Sequence, residues 1–381
     1  MENVSRRNWF KSAAGLTAGF VSLPALLDQL MAAPVSEAER LHQSSLLKEG
    51  LVRLGSNENP YGPSPKAREA VVASLSEGNR YAFDATTSFK KFLAEKEGVS
   101  PDHIMIGNGS SELLCVAGMG VGLEGKRVVS PFPTFRLLMD FAERMGATWD
   151  RVDVNEKLEL DLEKIAAAVR TDTKMIFLVN PNNPTGTLID FNVYQNFCDE
   201  MAKKTTVYSD EAYLEFVEPS QQRSMVDLIK KGSDVIVSRT FSKIYGLAGL
   251  RLGYVIAQPD RIKQMSKYHM GGGININQAV LAAAKACVDD TAFMKMTREK
   301  NATARKVLED YLTKKNIFFA KSHINLLFFP APVDGKTILA QTEEAGYQIR
   351  VWDYAGKEWC RVSIGTQEEM QGFVKVFDRI V

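Results

Sequence analysis

The feature that most constrains the fold of this chain is a regular alternation of short apolar runs and helical segments between about residues 88 and 270. Each apolar run has the length of a buried strand, and each following segment has the spacing of a helix. This alternation is typical of the α/β class, with a mostly parallel sheet flanked by helices on both faces. The predicted strands cover residues 103–106, 127–130, 148–154, 174–179, 206–208, 235–237 and 252–257.

The pattern changes beyond the glycine run at residues 271–273, where helices mix with short extended segments. We therefore expect a large domain over residues 76–273 and a smaller α+β domain over residues 274–381. Residues 39–75 contain a polar helical stretch and a loop rich in proline and glycine. We expect this segment to be an N-terminal arm that joins the small domain.

A polar or glycine-containing loop follows directly on five of the predicted strands. Gly109, Phe135, Asn183, Asp210 and Lys243 each lie in such a loop. Ligands of open α/β sheets bind outside the carboxyl ends of the strands. We therefore expect these five loops to converge on one site.

The stretch at residues 238–251 carries the residues needed to hold a phosphorylated aldehyde. Lys243 could form a Schiff base with a carbonyl group. Thr240, Ser242 and Arg251 could hold a phosphate, the arginine through paired N–H groups. A strand followed by a solvated basic loop is the alternative.

A second anion site is indicated where a strand, a glycine-rich turn and a helix meet at residues 107–112. Gly109, Ser110 and Ser111 lie at the expected start of the helix, where backbone N–H groups favour an anion. The alternative is an ordinary helix cap formed by one of the two serines.

Composition excludes several other classes. The chain has 381 residues with a net charge of +1, so there is no basic field for nucleic acid. Its four cysteines lie far apart without C-x-x-C spacing, and its four histidines show no ligand spacing, so we expect no metal site.

The first 38 residues are typical of a twin-arginine export signal. Arg6 and Arg7 precede Trp9, Phe10 and a mildly apolar stretch at residues 12–27. This run is short and contains a proline, so we expect no stable membrane insertion. The leader predicts an exported, periplasmic protein. A disordered or amphipathic arm is the alternative, and the protein would then be cytoplasmic.

Three motifs together resemble the class I/II aminotransferases, which are fold-type I enzymes that use pyridoxal 5'-phosphate. They are N-P-N-N-P-T-G at residues 180–186, D-x-A-Y at 210–213, and Ser242-Lys243 followed by Arg251. The segments at 57–62, 247–251 and 361–366 are most similar to the histidinol-phosphate aminotransferase branch. The resemblance covers residues 50–381 and implies that the large domain binds the cofactor.

The resemblance implies a role for each loop. Lys243 would hold the cofactor and shuttle a proton, and Asp210 would keep the pyridine nitrogen protonated. Asn183 and Tyr213 would bond the phenolic oxygen, with Tyr213 also counted as catalytic. Phe135 would stack on the ring, with core packing as its alternative. The implied phosphate ligands are Gly109, Ser110, Ser111, Thr240, Ser242, Arg251 and, from the other subunit of a homodimer, Tyr81.

On the substrate side, Arg361 matches the arginine that takes a carboxylate or phosphate in this family. Arg350 and Tyr61 match positions that line the distal pocket, and Asn59 belongs to the same 57–62 motif. The segment between Arg350 and Arg361 is short and rich in aromatic residues for the branch. The distal group of the substrate is therefore left open.

These roles predict a transaminase that moves an amino group from an amino acid, or an amine similar to histidinol phosphate, to a 2-oxo acid by a ping-pong mechanism. A decarboxylase or lyase on the same scaffold, similar to phosphothreonine decarboxylases, is the alternative. A non-catalytic regulator is disfavoured, because the first 40 residues are too few for a DNA-binding domain.

Overall fold

A computed structural model describes residues 50–271 and 274–381 of the chain. The predicted leader at residues 1–38 lies outside the described residues. Within the described ranges, no helix is long and apolar enough to cross a membrane.

The helices and strands of the described residues follow the alternation seen in the sequence. The strands are β1 (Val52–Arg53), β2 (Ile104–Gly107), β3 (Arg127–Phe132), β4 (Thr148–Asp153), β5 (Thr173–Val179), β6 (Thr206–Asp210), β7 (Val235–Thr240), β8 (Gly253–Ile256), β9 (Leu326–Pro330), β10 (Tyr347–Gln348), β11 (Arg350–Tyr354) and β12 (Lys357–Ser363). The α-helices are α1 (Pro65–Ser74), α2 (Phe83–Glu97), α3 (Gly109–Leu123), α4 (Leu137–Arg144), α5 (Leu162–Ala168), α6 (Phe191–Ala202), α7 (Val226–Lys230), α8 (Pro259–Met265), α9 (Gln278–Asp289), α10 (Thr291–Lys314), α11 (Gly335–Glu344) and α12 (Gln367–Phe377).

The large domain is built on a sheet with the strand order β2-β8-β7-β6-β5-β3-β4. Strand β8 is antiparallel to both of its neighbours, and the other pairs are parallel. Along β5, Ile176 and Leu178 pack into one core layer, whereas Met175 and Phe177 pack into the other. Side chains alternate across a strand, and helices cover both faces of this sheet. Residues 175–179 of β5 therefore form one continuous apolar run. The predicted α/β class is confirmed.

The small domain has its own sheet and core. Strands β11, β12 and β9 form an antiparallel sheet, and β1 pairs with β10 in parallel. The β11–β12 hairpin turns at Ala355 and Gly356, both with positive φ, as a tight two-residue hairpin requires. In the core of the small domain, Leu54 of the N-terminal arm packs with side chains of α10, α11 and α12. The arm therefore joins the small domain through β1 and Leu54.

Two helices near the predicted domain boundaries pack with the large domain. Ala67 of α1 is buried in the large core, although α1 falls in the segment assigned to the arm. Val280 and Ala284 of α9 are buried in the same core, although α9 lies beyond residue 274. Beyond residue 274, the first residue buried in the small-domain core is Ala304 of α10. Helical periodicity shows which face is apolar but does not show which layer that face contacts.

Candidate active site

A cavity of about 370 Å³ lies at the carboxyl ends of β5, β6 and β7, between the two domains. Its wall brings together most of the residues that the sequence singles out. These are Ser110, Ser111, Phe135, Asn183, Asp210, Tyr213, Thr240, Ser242, Lys243, Arg251, Arg350 and Arg361. The strand-end loops therefore meet in three dimensions, as the position of ligands in open α/β sheets requires.

Lys243 follows β7 by three residues and reaches into the cavity. Its Nζ atom donates to the carbonyl oxygens of Ser56 at 3.3 Å and Asn57 at 3.2 Å. It also lies 5.4 Å from the centre of the Tyr213 ring. The amine is thus held by neutral groups rather than by an ion pair, which leaves it able to react with a carbonyl.

Asp210 ends strand β6 and is buried at the bottom of the cavity. Ser238 Oγ donates to its Oδ1 atom at 2.8 Å, and the Ala212 N–H donates to the same oxygen at 3.2 Å. Burial raises the pKa of Asp210 to about 6, although these donors and the charge of Lys243 oppose the shift. Within the described residues no donor reaches Oδ2, so this oxygen is placed to accept from a ligand.

Tyr213 and Asn183 are each oriented by a neighbour. Asn57 Nδ2 donates to the Tyr213 hydroxyl oxygen at 2.9 Å, so that hydroxyl keeps its own proton for a ligand. Arg361 Nη1 donates to Asn183 Oδ1 at 3.1 Å, which directs the Asn183 Nδ2 donor elsewhere. Both residues line the cavity, so both can donate to one oxygen of a ligand.

The predicted phosphate site combines a helix N-terminus with one guanidinium group. The N-cap residue of α3 is Asn108, which makes no side-chain cap, so neither serine acts as a cap. Arg251 Nη2 lies 3.4 Å from Ser111 Oγ, and Nη1 lies 3.3 Å from Ser242 Oγ. Among the described residues Arg251 has no acidic partner. Uncapped N–H groups, hydroxyls and a cation are the donor set that phosphate requires.

Gly109 shapes this site from behind rather than lining it. Its φ is +77°, and a β-carbon there would lie 2.2 Å from Arg251 Nη2. Only glycine allows the turn into α3 and the guanidinium to share this space.

A pair of arginines lines the other side of the cavity. Arg350 and Arg361 are register partners across β11 and β12. Arg361 is buried, contacts the Gly55 carbonyl, and has an Nε atom without a hydrogen-bond partner in the described structure. Burial and the nearby charge of Arg350 lower the pKa of Arg361 to about 9. An anionic ligand would compensate both effects.

Besides Gly109, three predicted residues lie outside the cavity wall. Asn59 links its own loop to the residue that follows Lys243, because its Nδ2 donates to the Ile244 carbonyl at 2.8 Å. Its Oδ1 accepts from the Tyr61 N–H at 3.0 Å within the loop. The Tyr61 ring packs under Lys300 Nζ at 4.9 Å. Tyr81 is 77% exposed. Its predicted role concerns the other subunit of a dimer, so that role stays a prediction.

Sequence reasoning missed several residues at the site. Asn57 and Glu58 line the cavity, whereas their neighbours Asn59 and Tyr61 were chosen from the same motif. The loop has no periodicity that shows which amide faces inward. Ser238 bonds Asp210. Its position two residues before Thr240 places both on one face of β7, which is a signal the sequence does contain.

These residues fit pyridoxal phosphate. The open Oδ2 of buried Asp210 suits a ring N–H, Phe135 offers an aromatic face, and the Arg251 site suits the phosphate. Phe135 also packs against the core, so its stacking on the ring stays a prediction.

The comparisons with known proteins agree with this geometry. The family model for aminotransferase class I and II matches residues 49–377. The chain is 32% identical over 350 residues to histidinol-phosphate aminotransferase 1 of Cupriavidus pinatubonensis, covering 91% of this chain and 92% of that protein. It is 33% identical over 350 residues to histidinol-phosphate aminotransferase 2 of Hydrogenovibrio crunogenus, with 91% and 92% covered.

Solved structures show the same fold. The histidinol-phosphate aminotransferase of Sinorhizobium meliloti in complex with pyridoxal-5'-phosphate superposes with a TM-score of 0.81 at 25% identity, covering 92% of this chain and 96% of that one. The aspartate aminotransferase of Thermus thermophilus with maleate has a TM-score of 0.80 at 20% identity and full coverage of both chains, which concerns the fold alone. The chain therefore belongs to the class I and II aminotransferases and is a pyridoxal-phosphate-dependent transaminase.

Proposed function

We propose that this transaminase acts on an amine that carries an anionic group, of the histidinol-phosphate type or an acidic amino acid, with a 2-oxo acid as acceptor. The observation that carries the proposal is the buried Arg361 beside Arg350. Within the described residues Arg361 has no acidic partner, and its Nε atom has no hydrogen-bond partner. A carboxylate or phosphate accepts paired N–H bonds from such a guanidinium. The names of the relatives support the first substrate class.

The residues around the cavity divide the work. Bound pyridoxal phosphate supplies a carbonyl and an electron-withdrawing ring. Lys243 lines the cavity, and its Nζ atom moves the proton on the substrate carbon. Asp210 holds the proton of the ring nitrogen, and Arg361 orients the substrate by its acid group. The amino group passes from the amine donor to the 2-oxo acid acceptor in two half-reactions.

The test is a screen of amino donors and 2-oxo acceptors, with each half-reaction followed by cofactor absorbance. We expect histidinol phosphate and dicarboxylic amino acids to react, and neutral amines of equal size to react poorly. In Arg361→Ala, KM for these substrates should rise roughly 10- to 100-fold, because a charge-assisted bond is lost. Cofactor affinity should change far less than KM, because Arg361 reaches the predicted cofactor site only through Asn183. Equal turnover of neutral amines would overturn the substrate class, and release of carbon dioxide would indicate a decarboxylase instead.

We also propose a homodimer in which Tyr81 reaches the partner's phosphate site. Tyr81 is 77% exposed, and Phe83 beside it is 50% exposed, which suits a surface that another subunit covers. Mixing unfolded Lys243→Ala and Tyr81→Ala chains and refolding them should recover about a quarter of the activity, from the one intact site of each mixed dimer. No recovery would contradict sharing of the site.

We propose that the leader exports the folded enzyme to the periplasm. Arg6 and Arg7 and the apolar stretch at 12–27 support this. Residues 1–38 fused to a reporter that is active only when exported folded should give signal, and the Arg6→Lys and Arg7→Lys double variant should abolish it. A signal that is unchanged in the variant would exclude the twin-arginine route.

A further inference from the structure

A buried ion network lies on the face of the sheet opposite the cofactor site. Arg239 is 7% exposed, and its Nη2 atom lies 3.0 Å from Oε2 of Glu211, which is 2% exposed. Its Nη1 atom lies 3.0 Å from Glu215 Oε1. None of these charges lines the cavity. The chemistry derived above makes no use of them, although burying them is costly.

The network is held on several sides. Glu211 Oε1 accepts from the Met225 N–H at 2.8 Å, and Oε2 accepts from Ser224 Oγ at 2.7 Å. The negative charge of Glu97 also helps to raise the pKa of Arg239, and Glu97 accepts from the Tyr254 hydroxyl at 2.7 Å. The pair is therefore held on several sides, unlike a loose surface ion pair, although Arg239 Nε has no hydrogen-bond partner among the described residues.

The position of the pair relates it to the site. Asp210 and Ser238 are register partners at the ends of β6 and β7, and both face the cofactor side. Arg239 is the next residue of β7, and Glu211 is the first residue after β6. Because side chains alternate across a strand, Glu211 and Arg239 lie on the face opposite the cofactor side. Their ion pair connects the same two strand ends on that face. The Glu211 N–H also donates to the Ser238 carbonyl at 3.0 Å.

We propose that the Arg239–Glu211 pair is a positioning pair for the cofactor site. It fixes the distance between the end of β6, which carries Asp210, and the end of β7, which carries Thr240 and leads into Lys243. A shift of about 1 Å between a reacting group and its partner can cost 100-fold in rate, so rigid support of these ends has a direct effect.

The chain offers a matched control at the opposite ends of the same two strands. Arg261 makes a two-bond ion pair with Asp234, with Nη2–Oδ2 at 2.6 Å and Nε–Oδ1 at 3.1 Å. Asp234 directly precedes β7 and accepts from Thr206, the first residue of β6, at 2.8 Å. This pair joins the strands far from the cofactor.

The experiment compares Arg239→Gln with Arg261→Gln. We measure the melting temperature, the pyridoxal-phosphate dissociation constant of the cofactor-free protein, and the pH at which the visible absorbance of the lysine-bound cofactor changes. We expect both variants to melt earlier. Only Arg239→Gln should weaken cofactor binding, by roughly 10- to 100-fold, and shift the spectroscopic pH midpoint, because only it displaces Asp210 from the ring nitrogen.

Arg239→Gln leaves the buried charge of Glu211 without its partner, which can prevent the protein from folding. A double variant keeps the test decisive in that case. Glu211→Gln with Arg239→Gln removes both charges at similar volume and should restore folding. We expect it to retain the cofactor defect, because two amides do not reproduce the ion pair. Wild-type affinity and midpoint in the folded double variant would overturn the proposal. So would equal changes in the Arg239 and Arg261 variants, which would show only a general effect of strand stability.

Discussion

At the scale of single residues, the site depends on one buried carboxyl group. Asp210 is placed where water cannot stabilise its charge, and burial raises its pKa to about 6. A ring N–H that bonds Oδ2 would stabilise the ionised form and lower this pKa again. Without the cofactor, the same group makes the folded protein sensitive to pH.

Asp210 predicts the sign of this pH dependence. Its folded-state pKa of about 6 lies above the ordinary value of 3.8, so the folded state binds more protons between these values. The free energy of unfolding of the cofactor-free protein should therefore fall as pH rises from about 4 to about 6, by on the order of 2–3 kcal/mol. Asp210→Asn should lack this part of the dependence. Urea unfolding of both proteins across this range measures the difference, and parallel curves would refute the assignment.

At the scale of elements, the start of α3 and the loop after β7 form the predicted phosphate site because two chain segments approach closely. The approach is possible only because Gly109 has no side chain where Arg251 lies. The start of the helix supplies backbone N–H groups that point at an anion, and Arg251 supplies a positive charge. The predicted site therefore needs both segments.

Gly109→Ala is the variant that tests this close approach. Its β-carbon would meet Arg251 Nη2, so we expect cofactor affinity to fall at least about tenfold as the arginine is displaced. Gly125→Ala is the matched control, since φ is +62° there and no atom lies within 4 Å of the added carbon. That variant should lose about 1–2 kcal/mol of stability but no affinity. Equal affinities in the two variants would argue against the predicted phosphate site.

At the scale of the whole molecule, the N-terminal loop at residues 55–59 connects the two domains across the cavity. Asn57 contacts Tyr213 of the large domain and Ser363 of the small domain. The Glu58 carbonyl accepts from Asn325 of the small domain at 3.3 Å. Lys243, which contacts the carbonyl oxygens of Ser56 and Asn57, therefore faces a loop whose position depends on both domains.

Ser363→Ala should show this dependence. Ser363 Oγ accepts from the Asn57 N–H at 2.8 Å and donates to Asn57 Oδ1 at 2.7 Å, so the change leaves two buried groups unpaired, at a cost of about 1–3 kcal/mol. We expect kcat/KM to fall with the loss of loop position. Thr366→Ala removes only the cap of α12, which costs about 1 kcal/mol, and should leave kcat/KM unchanged. Equal kcat/KM values in the two variants would show that the position of the loop does not affect catalysis.

The sequence by itself determined the α/β class and the loops that carry Lys243, Asp210, Asn183 and Arg251. These are local properties, because strand ends and polar motifs can be read along the chain. Only the tertiary structure decided that Asn57 rather than Asn59 lines the cavity, that α9 packs with the large domain, and that Arg239 pairs with Glu211 behind the site. Each of these depends on contacts between segments far apart in sequence, and neither periodicity nor spacing encodes which segments meet.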